Sequence, residues 1–267
     1  MIYFPQLSTG TTSQLPLRWT DQFPALSNQF MDGSVVTADA EALSGVAWDL
    51  TFDGLNEAER GALQSFFESA RGALNSFTMI DPADNLLAFS EDFTQACWAH
   101  SGLVAVTPGA SDPFGGKAAM TIVNTAEAAQ QLLQQVPAPA SYSYCFSIYA
   151  RSDSPQTISL VTSTDSSTVE QPVTTATDWR RFALTFPSGT AGGGVSFGIE
   201  APAGVRVQIF GAQAEAQPGA GTYKQTGSTN AVYENCRLDQ DELAMTATGP
   251  GAYRCQMRIR NTGPLPW

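Results

Sequence analysis

Apolar and polar residues alternate along most of this chain, and one segment alone changes to a helical period. VAWDLTF places Val46, Trp48, Leu50 and Phe52 on one face and Ala47, Asp49 and Thr51 on the other, the period-two pattern of a half-buried strand. Before it, LPLRWT sets Leu15, Leu17 and Trp19 on one side of a strand, and Asp32-Gly33 in QFMDGSVVT suits a tight hairpin turn. NEAERGALQSFFESARG then reads as helix, with Leu63, Phe66, Phe67 and Ala70 as its apolar stripe. Asn56 is placed to cap it with Glu59 three residues on, Glu57 and Glu59 suit its positive start, and Arg71 and Gly72 suit its end. Residues 1–84 thus predict a small sheet with one packed helix. Near the other end, Tyr253, Cys255, Met257 and Ile259 alternate with Arg254, Gln256, Arg258 and Arg260. A Gly-Pro-Gly turn separates them from Leu243, Met245 and Ala247, which predicts a hairpin with one apolar and one polar face.

Between these blocks, AAMTIVN, YSYCFSIYARS, TISLVTS, RRFALTF, GVSFGIEA and VRVQIFGAQAEA are short alternating runs divided by Gly, Pro, Ser and Asp. That spacing predicts an antiparallel β-sandwich without a strong helix. Alternation directs Phe146, Ile148, Leu160, Phe182, Leu184, Phe197, Ile199, Val207 and Ile209 between the sheets. Their neighbours then face outward: Tyr149 and Arg151 on one strand, Arg206 and Gln208 on another, with Glu200 expected on the same concave face. An aromatic ring beside a few polar groups is how shallow sites hold glycans, so these five are the candidate ligand-binding residues. Trp98 and Trp179 read as structural packing.

Composition narrows the function. The 267 residues include 43% hydrophobic and 10% aromatic side chains, enough for a true core. Only 14% are charged, with a net charge of −12, which argues against nucleic acid and anionic membranes as direct partners. The first residues, MIYFPQLSTG, hold neither a basic segment nor an apolar run, and no stretch is long enough to span a bilayer; assembly in a cytoplasm is expected. One His, no G-x-S-x-G, no phosphate loop and no H-E-x-x-H leave no catalytic set, so no enzyme, cofactor or metal is expected. Glu91-Asp92 and Asp239-Asp241 read as turn residues. Cys97, Cys145, Cys236 and Cys255 show no metal spacing and read as small buried hydrophobes in strands, with a Cys236–Cys255 disulfide open if those segments pair.

Two resemblances organise the chain. Trp48, Leu50, Phe52, the 57–71 helix, Phe77, Asp81 and Pro82 resemble the N-terminal domain of phage tail-tip proteins of the distal tail and minor tail type. In that group a later segment carries Arg, Leu, Gly and Tyr at the spacing of Arg237, Leu243, Gly251 and Tyr253, which here stand about 150 residues too late. The resemblance therefore implies a discontinuous domain, 1–84 with 231–267, interrupted at the Asp-Pro turn by residues 85–230. The inserted block, through NLLAFSEDFTQACW, YCFSIYARS, TDWRRFALTF and IFGAQAEAQPGAGTYKQTG, is similar to the carbohydrate-binding-module-like jelly rolls of phage tail proteins, departing at Ala214 where a larger apolar residue is usual. Together they imply a structural tail-tip or baseplate protein, part of a trimeric or hexameric ring in the virion tail. Its partners would be itself, tail-tube and baseplate proteins, and host surface polysaccharide through the jelly roll. The alternative is a free-standing lectin-like protein.

Overall fold

The computed structural model describes residues 2–22, 25–39, 45–186 and 193–261, so the last residues of the 231–267 block lie outside the described residues. The chain divides into two compact units, Met1–Ile80 with Tyr233–Trp267, and Asp81–Val232. In chain order the elements are β1 (Arg18–Gln22), β2 (Ala25–Gln29), β3 (Val35–Asp39), β4 (Gly45–Leu55), α1 (Glu57–Ala70) and β5 (Phe77–Ile80). Ten strands follow: β6 (Trp98–His100), β7 (Val104–Ala110), β8 (Ala119–Asn124), β9 (Gln130–Val136), β10 (Tyr144–Arg151), β11 (Gln156–Ser163), β12 (Thr168–Thr175), β13 (Arg180–Phe186), β14 (Val195–Ala201) and β15 (Arg206–Glu215). The chain closes with β16 (Val232–Leu238), β17 (Met245–Gly249) and β18 (Ala252–Asn261). The described residues are mainly β, with antiparallel sheets and one helix.

In the first unit the strand order is β1-β4-β18-β16-β5, with β17 pairing the start of β18. The long strands β4 and β18 lie antiparallel, with Ile259 opposite Trp48, Met257 opposite Leu50 and Cys255 opposite Phe52. These side chains are buried with Leu63, Phe66 and Ala70 of α1, and Phe4 packs edge-on against Phe66 at 5.0 Å. On the polar face, Asp49 pairs with Arg18 and Arg258, and Asp239 pairs with Arg258 and Arg260. These exposed pairs contribute little stability; they keep that face wet and fix which way the alternation points.

The helix starts where its capping chemistry dictates. Glu59 N donates to Asn56 Oδ1 at 2.9 Å and Asn56 N donates to Glu59 Oε2 at 3.0 Å, the reciprocal capping box. Glu59 also accepts from Ser8 Oγ at 2.6 Å, tying the N-terminal segment to the helix start. At the other end Arg71 is itself the cap, in the left-handed region at φ 54°, and Gly72 N donates to Phe67 O at 3.3 Å. One expectation changes in this unit: β1 begins at Arg18, so Leu15 and Leu17 precede it, with Leu15 87% exposed and Leu17 packed partly buried against the core, while Trp19 stands opposite Trp48 in the edge strand β1 and is 57% exposed. The β2–β3 hairpin turns tightly at Asp32-Gly33 as expected: Gly33 N donates to Phe30 O at 3.0 Å and Phe30 N to Ser34 O at 2.9 Å, with Gly33 in the left-handed region at φ 84° and Asp32 Oδ1 accepting from Ser34 N.

The second unit is a β-sandwich of jelly-roll type, with sheets ordered β13-β10-β15-β8-β7 and β12-β11-β14-β9-β6. Phe146 of the first sheet stacks on Phe197 of the second at 6.2 Å, and Tyr144 meets the same ring edge-on at 5.5 Å. Ile148, Leu160, Leu184, Ile199, Val207 and Ile209 are buried with them, while Phe182 is half-buried near a strand end. The unit's ends are held together: Asp81 N donates to Ala231 O at 2.9 Å and Ala231 N to Asn85 O at 3.0 Å. Asn85, fully buried, donates to Ala212 O and Lys224 O and accepts from Leu87 N and Ala214 N. Ala214 is thus small where the entering segment lies directly against β15.

The cysteines are all free. Cys236 stands opposite Asn261, six residues from Cys255 along β18, a separation of about 20 Å at ~3.3 Å per strand residue, far beyond disulfide reach. Cys145, Cys236 and Cys255 are buried, but Cys97 is exposed and lies outside the strands. Burial pushes the Cys236 thiol up to about 12 and the Cys255 thiol up to about 11. A thiol reagent at neutral pH is therefore expected to modify Cys97 alone in the native protein and all four cysteines after unfolding. Native reaction of Cys145, Cys236 or Cys255, read by peptide mapping, would contradict their burial. Among the described residues no helix is long and apolar enough to cross a membrane.

Candidate functional site

Tyr149, Arg151, Arg206 and Gln208 share the outer face of the β13-β10-β15-β8-β7 sheet. Arg151 stands directly opposite Gln208, Tyr149 opposite Phe210, and Arg206 lies two residues along β15 from Gln208. Glu200 does not join them. It sits on β14, between β11 and β9 in the other sheet, where its carboxylate accepts from Gln131 Nε2 at 3.0 Å. The outer faces of a sandwich point in opposite directions, so Glu200 belongs to the opposite side of the unit. Alternation gives a residue's face within its own strand, not which sheet that strand enters.

Around Tyr149 the chain gathers rings that alternation does not reveal. Phe114, Tyr149, Phe210 and Tyr223 form one cluster, with Phe114 at 5.8 Å from Tyr149, 5.7 Å from Phe210 and 6.4 Å from Tyr223, nearly parallel to the last at 14°. Phe210 is buried beneath, and Phe114 is 67% exposed on top. The loop that carries Phe114 is rigidly built. Asp112 Oδ1 accepts from Phe114 N at 2.8 Å and Gly116 N at 3.0 Å, and Oδ2 accepts from Ala118 N at 3.1 Å. A Cβ on Gly116 would stand 2.4 Å from that carboxylate, so the turn needs glycine there. The signal in the sequence was a lone aromatic in the polar stretch SDPFGGK.

The polar groups beside the rings are held as firmly. The Arg151 guanidinium lies 4.9 Å over the Trp179 ring, and its Nε donates to Gln208 Oε1 at 2.6 Å. Trp179 is half-buried at this face, packed under the Arg151 guanidinium, and its buried Nε1 has no hydrogen-bond partner among the described residues. Trp98 is buried, with Nε1 donating to Phe89 O at 3.1 Å and its ring against Phe93. Arg181 lies over Tyr149 at 5.6 Å and donates to Gly221 O and Ser147 Oγ. Glu91 accepts from Tyr223 Oη at 2.9 Å and Gln225 Nε2 at 3.0 Å; burial, with Asp112 nearby, raises its carboxyl above the usual range against the opposing Tyr223 bond. Burial likewise raises the Tyr223 hydroxyl. Asp92, beside Glu91, accepts from Thr94 N, Thr94 Oγ1 and Gln95 Nε2 as a turn residue, while Asp239 serves the arginine pairs of the first unit. Among the described residues no group of three or more His, Cys, Asp or Glu is placed to hold a metal ion.

No protein-family model and no curated protein matches the sequence. Several solved structures are similar over about half of the chain. The enzymatically active domain of tailspike protein 4 of bacteriophage CBA120 aligns at 11% identity and TM-score 0.39, covering 51% of this chain and 22% of its own. The CBM22-1 xylan-binding domain of Paenibacillus barcinonensis Xyn10C aligns at 17% identity and TM-score 0.41, covering 52% of this chain and 97% of its own. TmCBM61, solved with β-1,4-galactotriose, aligns at 18% identity and TM-score 0.38, covering 49% and 97%. At such values the ligand chemistry of this chain has to be read from its own residues.

Proposed function

We propose that the sandwich binds glycan on its Tyr149 face, and that the first unit carries it as a structural part of a phage tail tip, in a ring at the end of the tail tube. The observation that supports glycan binding is the exposed Phe114 ring standing over Tyr149 and Tyr223, with the Arg151 guanidinium and Gln208 amide fixed beside it. A ring face takes the C–H side of a sugar, and planar donors take its hydroxyls. The proposed role is binding without catalysis. Affinity electrophoresis in gels holding polysaccharides tests it: retardation of the native protein by at least one polymer is expected, with Phe114→Ala weakening it about tenfold or more, the loss of one stacking contact and its shape. A native protein retarded by none of a broad panel would sink the reading.

The ring is supported by the β2–β3 hairpin. Its described side chains are exposed, with Leu26 and Val36 on one face, Val35 on the other, and Phe30 and Met31 in the loop. A two-stranded ribbon has no core of its own, and contiguous exposed apolar residues mark an interaction surface. In this reading the hairpin lies on a neighbouring copy of the first unit or on a tail-tube or baseplate protein, within a virion tail assembled in the host cytoplasm. Sedimentation is expected to give a trimer or hexamer, Leu26→Asp with Val36→Asp to return it to monomer, and Tyr149→Ala with Arg151→Ala to leave it assembled. A native protein that binds glycan but stays monomeric would select the other reading, a free-standing lectin-like protein. The acidic excess also implies no DNA binding at moderate salt.

A further inference from the structure

The cations of the sandwich are gathered on one of its two sheets. Between Asp81 and Val232 the only Lys and Arg residues are Lys117, Arg151, Arg180, Arg181, Arg206 and Lys224. Arg151 is on β10, Arg180 and Arg181 on β13, and Arg206 on β15, all strands of the β13-β10-β15-β8-β7 sheet. Lys117 is in the Phe114 loop joining β7 to β8, and Lys224 is in the segment laid along β15, where its N–H donates to Gln213 Oε1 at 2.7 Å. The strands of the opposite sheet carry no Lys or Arg and include Glu170 and Glu200.

Among the described residues these charges have no ion-pair partner. The ion pairs between described residues all lie in the first unit, on Arg18, Arg60, Arg254, Arg258 and Arg260. Three carboxylates on the cationic side are committed internally, Asp112 to its own loop, Glu91 to Tyr223 and Gln225, and Glu215 to Gly221 N and Gln217 Nε2, while the exposed Asp153 and Asp178, near Arg151 and Arg180 in sequence, form no ion pair with a described residue. Arg151 is the group best prepared for an anion. Its plane is fixed on Trp179 and its Nε on Gln208, Nη2 reaches Ser111 O only at 3.4 Å, and Nη1 makes no hydrogen bond among the described residues. A guanidinium fixed in this way meets a carboxylate with two parallel bonds.

We propose that the glycan held on this face is an acidic polysaccharide, a sugar carboxylate sitting on Arg151 while a neighbouring sugar ring stacks on Phe114. The inference rests on the glycan reading above and specifies its ligand class. Arg206, Lys117 and Lys224 supply the surrounding positive potential that draws a polyanion to an otherwise acidic protein.

The test uses the full chain in affinity electrophoresis and calorimetry with polygalacturonate, alginate and hyaluronan, each beside its carboxyl-reduced polymer, and with neutral xylan and galactan. At least one acidic polymer is expected to bind, its reduced form about tenfold or more weaker, the usual effect of losing a charge-assisted hydrogen bond. Added salt should weaken the acidic polymer and leave the reduced one nearly unchanged. Arg151→Gln, with its thermal unfolding unchanged, should lower affinity for the acidic polymer to that of its reduced form. Neutral or reduced polymers held as tightly as the acidic ones, or an Arg151→Gln variant that still distinguishes them, would overturn the acidic class and leave the glycan reading standing. Binding of no polymer, acidic or neutral, would overturn both.

Discussion

Deletion of residues 252–267 is expected to unfold the first unit while the sandwich stays folded. The deleted segment contains β18, an interior strand between β4 and β16 that also pairs with β17. Cys255, Met257 and Ile259 leave the core with it, and Phe52, Leu50 and Trp48 opposite them lose their cover. Each large apolar side chain returned to water costs roughly 1.5–3 kcal/mol, so the sum approaches the roughly 5–15 kcal/mol by which a whole domain is stable. The ladder bonds that join β4 and β16 to β18 are lost as well. Limited proteolysis should cut within residues 1–80 and spare residues 81–232. Protection of residues 1–80 in the truncated chain would mean that β4 closes its sheet without β18, and that the two chain segments are not one domain.

That dependence was legible because β4 and β18 each bury one face and wet the other, so burial is written into every second residue. Where side chains do not sort in this way the strand disappears from the pattern. In β9, QQLLQQV has adjacent leucines between glutamine pairs and no alternation, and Gln134 points inward and is satisfied there, donating to Ala88 O at 2.8 Å and accepting from Ala88 N at 2.7 Å. β12 contains Pro172, tolerated because β12 is the edge of its sheet. β7 contains Pro108 and Gly109, where its pairing with β8 slips at a bulge and Gly109 takes φ 96°. The same limit governs the site. Tyr149, Arg151, Arg206 and Gln208 followed from alternation, whereas Phe114 and Tyr223 stand on segments between or beyond strands, where alternation has nothing to say. Glu200 was misplaced because strand order depends on long-range pairing that no local pattern records.

Gly198 gives the sharpest test of that pairing, since Gly198→Ala is expected to destabilise the sandwich severely. The residue lies in β14, opposite Val161 of β11 on one side and Leu133 of β9 on the other. A Cβ there would stand 2.0 Å from Leu132 O and 3.0 Å from Leu133 Cα. Both are backbone atoms of a paired strand, so no side-chain rotation relieves the contact; β9 must move away from β14. Moving it also disturbs Gln134 and its bonds to the segment that enters the sandwich. Overpacking usually costs ~1–3 kcal/mol, and a clash with backbone belongs at the upper end, about 3 kcal/mol. For a unit of this size that corresponds to a fall of roughly 6–12 °C in unfolding midpoint. Exposure of the buried Cys145 thiol during heating reports this unit, while Cys236 and Cys255 report the first. Gly198→Ala should expose Cys145 at lower temperature and leave the other two unchanged, with Ser196→Ala on the same strand as the control. A Cys145 midpoint within about 1 °C of that control, well inside the shift expected for even 1 kcal/mol, would mean that β9 and β14 are not packed backbone against backbone at this position.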